Sequence, residues 1–403
     1  MIAQYFPPDM GGGATRAHNL VKSLLRTGCD VTVITAFPHY PTGFIPKKYR
    51  RKLLAIEQKQ GLKIVRTYVP PVASEGFAKR ILLFACFAFS SLFALPVAGR
   101  ASTVWAANPN IIAMFPSLIY KLVNNCPIIQ NVDDLWPEEL YDFGVSHRSL
   151  VSRLGEIAAR ITYKAASVIT PISTAYVAVI TSKYRVDPRK VCVIPAGVDL
   201  DRFRLKEDTA EPERRTFIVL YVGAFSKAYN FDQVLEAAKL LSNLGDIKFV
   251  IQGGGELVSD LRVKIREKKL RNVELVNKIV SREEVARVLH TANVVLLPLD
   301  CFGYNSIELG ISSKLYEYQA AGKPIICCSR GQPALYVSET KSGIVVTPGD
   351  HQALANAVIK LKECPTITRV MGENGRKYVE HEASIDGIGL RLKEVFETIT
   401  TSA

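Results

Sequence analysis

Between residues 217 and 346 the chain alternates short apolar runs with segments of helical periodicity, and this pattern narrows its fold more than any other feature. The runs at 217–222, 248–251, 273–276, 294–298 and 324–328 are separated by helical patterns at 231–241, 257–268, 282–292 and 315–321. Strands that alternate with helices pair in parallel, because parallel pairing needs a crossover, and continuous apolar runs mark strands covered on both faces. The prediction is an α/β domain with helices on both sides of a parallel sheet. Ligands on such sheets bind at the carboxyl ends of the strands. The loops expected there are 223–230, 253–256 and 301–313.

The last of these loops leads into SSKLYEYQAAGKP at 312–324, where Ser312 is placed to cap a short helix that ends at Gly322. A helix start carries unpaired N–H groups and positive partial charge, so it collects phosphate, and Lys314 adds a full charge beside it. Glu317, one turn later on the same side, is placed to accept hydrogen bonds from ribose hydroxyls. The combination suits a nucleoside diphosphate; an ordinary amphipathic helix with a Ser cap and a Gly stop fits these residues too.

A chain of 403 residues is long enough for two cores. We expect domains at 1–199 and 200–368, joined through the charged run 202–215. Residues 1–200 hold 23 Lys and Arg against 12 Asp and Glu, a net of +11, which leaves +2 of the total +13 for the rest. The basic half lacks a nucleic-acid module or interleaved aromatic and basic residues, so nucleic acid is not an expected partner. Anionic lipid head groups or a pyrophosphate-linked acceptor match the charge instead. Lys79, Arg80 and Arg100 flank residues 81–99, nineteen positions without a charge. Ser90, Ser91 and Pro96 in that run, and the sheet strands on either side of it, argue against a membrane span. A helix packed on the sheet is one reading, and a helix or hairpin partly sunk in the cytoplasmic leaflet is the preferred one. No signal peptide is seen. The eight cysteines show no metal-ligand spacing and suit a reduced, cytosolic protein.

Gly11, Gly12 and Gly13 allow close backbone approach to a ligand at the helix that follows. They do not form a dinucleotide fingerprint, since its third glycine falls on Arg16 and no acidic residue ends the second strand. Asp199 and Asp201 mimic a metal-binding carboxylate pair, but we read them as structural and expect no metal.

Together with the 312–324 helix, VIPAGVDLDRF at 193–203, YVGAFSKAYNFDQVLEAA at 221–238, GGGE at 253–256 and SGIVVTPGD at 342–350 resemble the retaining GT-B glycosyltransferases of family 4, group 1. QYFPPDMGGGATRAHNL at 4–20, FPHYPTG at 37–43 and DLWPEE at 134–139 resemble the bacterial branch that makes O-antigen, capsule and exopolysaccharide. The resemblance implies two Rossmann-like domains facing across a cleft, with a last helix, 369–403, crossing back to the first domain. It implies a nucleotide diphosphate sugar as donor, uridine-linked, and a lipid-linked or saccharide acceptor at the inner face of the cell membrane. It needs no cofactor. The implied donor contacts are Gly12, Gly13, Gly223, Lys227, Ile279, Glu308, Ser313, Lys314, Leu315 and Glu317. Lys314 and the amides of 313–315 would stabilise the departing diphosphate, and Asp134 would hold the acceptor hydroxyl or the donor sugar. Arg16, His39, Tyr40 and Trp136 are acceptor-side candidates, with His18 a weaker one. In the retaining scheme the acceptor hydroxyl attacks the same face of the sugar and gives its proton to a donor phosphate oxygen.

The sequence departs from the family pattern twice. The first of two glutamates falls on Leu309, with Glu308 one residue early, and the basic pair after the first donor-domain strand is out of register, its lysine position lying near Tyr229. Lys227 is the candidate replacement. A sugar-nucleotide 2-epimerase of the same architecture and a non-enzymatic, membrane-docked nucleotide-sugar-binding subunit stay open as alternatives.

Overall fold

The computed structural model describes residues 1–40, 42–59, 61–73, 76–108, 111–142, 144–204, 216–300 and 308–401. The chain divides into two units, Met1–Gly197 with Ile385–Ala403, and Val198–Ser384.

The strands of the first unit are β1 (Val31–Ala36), β2 (Leu54–Lys59), β3 (Leu62–Thr67), β4 (Val104–Asn108), β5 (Ile128–Val132) and β6 (Val168–Pro171). Its helices are α1 (Gly12–Arg26), α2 (Phe77–Leu92), α3 (Leu95–Ala98), α4 (Phe115–Asn124), α5 (Glu138–Asp142), α6 (Leu150–Ala165) and α7 (Thr174–Lys183). β1 pairs in parallel with β3, and β4, β5 and β6 pair in parallel in that order. Ile2 bridges Ile34 of β1 and Ala106 of β4, so the first residues join the two sets. The sheet is not wholly parallel as expected: β2 runs antiparallel to β3, because the short connection after Lys59 turns the chain back on itself.

α2 and α4 cover one face through Leu83, Phe87 and Tyr120, which pack with Ile34 and Ile128. The apolar segment 81–99 is therefore largely a sheet-packing helix pair, with Leu83, Phe87 and Ala94 fully buried, while Leu82, Phe89 and Phe93 are its large side chains that stand out in solvent. Among the described residues no helix is long and apolar enough to cross a membrane.

The second unit contains β7 (Phe217–Ala224), β8 (Ile247–Gly254), β9 (Val273–Val276), β10 (Val294–Pro298), β11 (Ile325–Cys328) and β12 (Gly343–Val346). Between and after them run α8 (Phe231–Leu240), α9 (Val258–Glu267), α10 (Arg282–His290), α11 (Ser313–Ala320), α12 (Gly331–Glu339), α13 (His351–Glu363) and α14 (Pro365–Tyr378). The six strands are parallel in the order β12-β11-β10-β7-β8-β9. Chain order steps outward from β7 through β8 to β9, then returns beside β7 as β10 and steps the other way. That reversal between β7 and β10 is a switch point of the kind at whose carboxyl ends open α/β sheets bind ligands.

The expected boundaries need adjustment. The first division falls after Gly197, and α14 belongs to the second unit, where Arg376 donates to the carbonyls of Phe203 and Ala320. The last helix expected at 369–403 is not one element: a π-turn at Val379–Ala383 and extended backbone at Ser384 break it. Only α15 (Ile385–Thr401) returns to the first unit, where Ile388 and Leu392 pack with Leu20 of α1 and Ile129 of β5. Most of the charged run 202–215 lies outside the described residues.

Candidate active site

In the second unit, α11 starts where the sequence places it. The Ser312 hydroxyl accepts from the Lys314 N–H at 3.4 Å, and the Leu315 N–H donates to the Ser312 carbonyl at 3.0 Å. Two of the three amides assigned to phosphate are therefore engaged by the cap, which corrects the expectation that 313–315 offer a row of open donors. The Leu315 side chain is buried, so its contribution is to anchor the helix.

Lys314 reaches from this turn to the end of β7. Its ammonium group donates to the Tyr229 hydroxyl at 2.7 Å and lies 4.8 Å from the centre of that ring. Gly223 makes room for it: with φ at +149°, a conformation side chains rarely adopt, a methyl group there would run into Lys314 Cε. Tyr229 is bridged to Leu299, just beyond β10, so the lysine and tyrosine meet at the β7–β10 switch point. Beneath them the Tyr221 hydroxyl donates to the Ala224 carbonyl at 2.6 Å.

Glu317 lies one turn beyond Lys314. Burial raises its carboxyl above the usual range, against the pull of the Arg202, Lys314 and Arg282 charges, with Arg202 Nη1 at 4.0 Å. The Arg202 guanidinium also donates to the Arg282 carbonyl, which ties this cation to α10. Lys227 is exposed, and its backbone N–H donates to Glu256 at 3.2 Å. Ile279, also exposed, packs against Gly254 at the end of β8. The Glu308 backbone lies against Gly331; residues 301–307 of its loop are outside the described set.

A cavity of about 230 Å³ lies in the first unit. Gly12, Gly13, Tyr40, Asp134 and Trp136 line it, which brings five candidates to one place. Arg80, Phe84 and Glu139 line it too, and sequence reasoning did not place them there. Arg80, expected at lipid head groups, is set in the cavity wall by the first turn of α2. Glu139 belongs to the same DLWPEE segment as Asp134, and α5 turns it back toward that residue. Protein surrounding the pair strips most water from it. Burial, followed by the charges of Glu139 and Asp133, pushes Asp134 well above the ordinary aspartate range. Burial also raises Glu139 to about 7, against the pull of Arg80.

Arg16 and His39 fall outside this cavity. The Arg16 guanidinium is buried against Asn131 Oδ1 at 2.7 Å, the Ile194 carbonyl at 2.8 Å and the Asp133 carboxylate. It fixes the end of β5 and is not open to an acceptor. His39 is buried behind Tyr5, with Nδ1 2.8 Å from the Phe37 carbonyl, and burial lowers its pKa. His18 faces Phe6. Asp201 pairs with Arg204 at 2.9 Å. Among the described residues no group of three or more His, Cys, Asp or Glu side chains gathers as a metal site.

Comparison with known proteins finds a family match for each half of the chain. Residues 201–378 match the model for Glycosyl transferases group 1, and residues 10–202 match Glycosyltransferase Family 4. Among curated relatives, the UDP-Gal:alpha-D-GlcNAc-diphosphoundecaprenol alpha-1,3-galactosyltransferase of Escherichia coli is 26% identical over 224 residues, covering 52% of this chain and 55% of the relative. The amylovoran biosynthesis glycosyltransferase AmsK of Erwinia amylovora is 27% identical over 177 residues, 43% of this chain and 42% of the relative. The chain spans about half the length of the curated relatives it matches. Among solved structures, sucrose-phosphate synthase from Thermosynechococcus elongatus superposes with a TM-score of 0.76 at 18% identity, covering 100% of this chain and 98% of that one. Anabaena HepE in complex with UDP gives a TM-score of 0.69 at 14% identity, covering 98% of each chain. Two units built on largely parallel sheets and full-length structural likeness give the chain the GT-B fold, and its two halves match the models for Glycosyltransferase Family 4 and Glycosyl transferases group 1.

Proposed function

We propose that the chain is a retaining glycosyltransferase that moves a sugar from a uridine diphosphate sugar to a lipid-linked saccharide at the inner face of the cell membrane, for bacterial surface glycan synthesis. The observation that carries the donor half is Lys314, aimed across Gly223 by the Tyr229 hydroxyl at the switch point of the second sheet. The E. coli relative is named for a UDP-linked donor and a diphosphoundecaprenol acceptor, which supports the same classes here. The cavity of the first unit supports the acceptor half, because an apolar wall of Phe84 and Trp136 beside two carboxyl groups suits a saccharide carried on a lipid.

Breaking the bond from sugar C1 to the diphosphate oxygen leaves that electron pair on the diphosphate and positive character on the ring. Lys314 neutralises the developing charge, a role typically worth roughly 3 to 4 kcal/mol in a barrier. The acceptor hydroxyl bonds to C1 on the face the diphosphate leaves, and its proton passes to a donor phosphate oxygen. Asp134 orients the sugar hydroxyls. Glu317 and its neighbouring arginines position the nucleoside, and the protein cations serve in place of a metal.

The test is product analysis with labelled uridine diphosphate sugars and bacterial lipid extract. Transfer of label to lipid with retained anomeric configuration supports the proposal. Isomerised donor would indicate the 2-epimerase, and binding without product the non-enzymatic subunit.

A further inference from the structure

We infer that the outer face of α4 and α6 is a docking surface for an anionic lipid bilayer. Both helices are amphipathic in the wrong sense for a soluble surface. α6 buries Ser152, Ala159, Thr162 and Tyr163 and turns its branched residues outward. Leu150, Leu154, Ile157 and Ile161 are 71%, 56%, 53% and 49% exposed. Their spacing, i, i+4, i+7 and i+11, sets them in one line along a helix of 16 residues, about 24 Å long. α4 repeats the inversion: Pro116, Ser117 and Tyr120 are inside, while Ile119, Leu122 and Val123 are exposed.

The two helices lie side by side on one face of the sheet. Ile128 packs with the α4 residues Tyr120 and Leu118, and Gln130, two positions along the same strand, donates to Thr162 of α6 at 3.2 Å. Lys121 of α4 donates to the Ala165 carbonyl at the end of α6 at 2.7 Å. The apolar lines of the two helices therefore belong to one patch, of the kind that marks an interaction site.

Charge decides the occupant. Arg153, Arg160 and Lys164 each follow a residue of the α6 line by three positions and are exposed, which draws a basic edge along the stripe. Glu156, the one acid on α6, is held by Lys183 at 2.8 Å, and α4 has none. Apolar side chains bordered by long basic ones enter the acyl boundary while the cations reach phosphate head groups. A second copy would offer the same basic edge and no acidic counterpart on these helices. The assignment rests on the proposed function for lipid being at hand, and it moves the expected contact from residues 81–99 to α4 and α6.

Co-sedimentation of the full chain with vesicles of phosphatidylglycerol and phosphatidylethanolamine, free of any sugar acceptor, tests it. The wild-type chain should pellet, and the Leu154→Glu/Ile157→Glu variant should bind about tenfold or more weakly at an unchanged melting temperature. Arg153→Gln/Arg160→Gln/Lys164→Gln should lose the preference for these vesicles over phosphatidylcholine ones. The inference is overturned by wild-type protein staying in the supernatant, by Leu154→Glu/Ile157→Glu pelleting like wild type, or by Phe89→Ser/Phe93→Ser alone abolishing binding. It also fails if the α6 variant converts a dimer to a monomer in sedimentation velocity, which would make a second copy the occupant. Because the vesicles carry no acceptor, failure leaves sugar transfer to a soluble acceptor analogue untouched, and a chain that binds vesicles but transfers nothing fails the transferase reading alone.

Discussion

The Lys314 ammonium group and the Tyr229 hydroxyl are joined by a 2.7 Å hydrogen bond at the point where the second sheet reverses its strand order. The tyrosine sits where the family resemblance leads one to look for a second basic residue. A lysine there would push Lys314 away by like-charge repulsion. The hydroxyl instead gives the ammonium a fixed acceptor, and the ring face adds a second attraction.

Tyr229→Phe removes the acceptor and keeps the ring. Turnover should fall by about tenfold to a hundredfold, as for a lost hydrogen bond to a charged group, with little change in melting temperature. Steady-state kinetics beside a thermal melt checks this; Tyr229→Leu, which also loses the ring, should fall further.

Gly223→Ala tests the close approach. The new methyl group meets both an unfavourable φ of +149° and the Lys314 side chain, so the lysine must move. Strain of this kind costs about 1–3 kcal/mol. Donor affinity measured by calorimetry should drop by about tenfold or more.

Glu139 gives a pH signature. Its carboxyl is raised from 4.5 to about 7, so the folded chain holds this proton more tightly than the unfolded chain does. The favourable contribution is full below pH 4.5 and is lost as pH rises through about 7. Glu139→Gln should therefore match wild-type stability near pH 4 and exceed it by on the order of 3 kcal/mol at pH 8, read from urea unfolding at the two pH values.

Arg16→Met should act on stability, because Arg16 compensates the Asp133 carboxylate inside the first unit. Removing one partner of a buried pair costs about 3–5 kcal/mol. Arg16→Met/Asp133→Asn should recover part of that loss in denaturant titration, as no charge is left unpaired.

Much of the second unit was legible because its signals are local. β7, α8, β8, α9, β9, α10, β10, α11 and β11 fall within a few residues of the predicted runs, and Ser312 and Gly322 mark the α11 ends. Long-range pairing was not legible. Tyr229 could be seen as out of register, but its bond to a lysine 85 residues away could not. Arg80 read as a charge flanking an apolar segment, and only the packing of α2 on the sheet turns it into the cavity. Arg16 and His39 sit in suggestive motifs, yet tertiary contacts bury both. Lys59 and Gly61 carried a turn signal for the β2–β3 hairpin that the expectation of a parallel sheet obscured. Glu139 was in view beside Asp134, and a buried carboxyl shows itself only once its surroundings are known.

Calorimetric titration of uridine diphosphate into the wild-type chain and Lys314→Ala tests the central claim most directly. We predict a dissociation constant raised by on the order of tenfold to a hundredfold in the variant, the loss of one charge-assisted contact to the diphosphate. Equal affinities would mean that the diphosphate binds elsewhere, and would contradict the account.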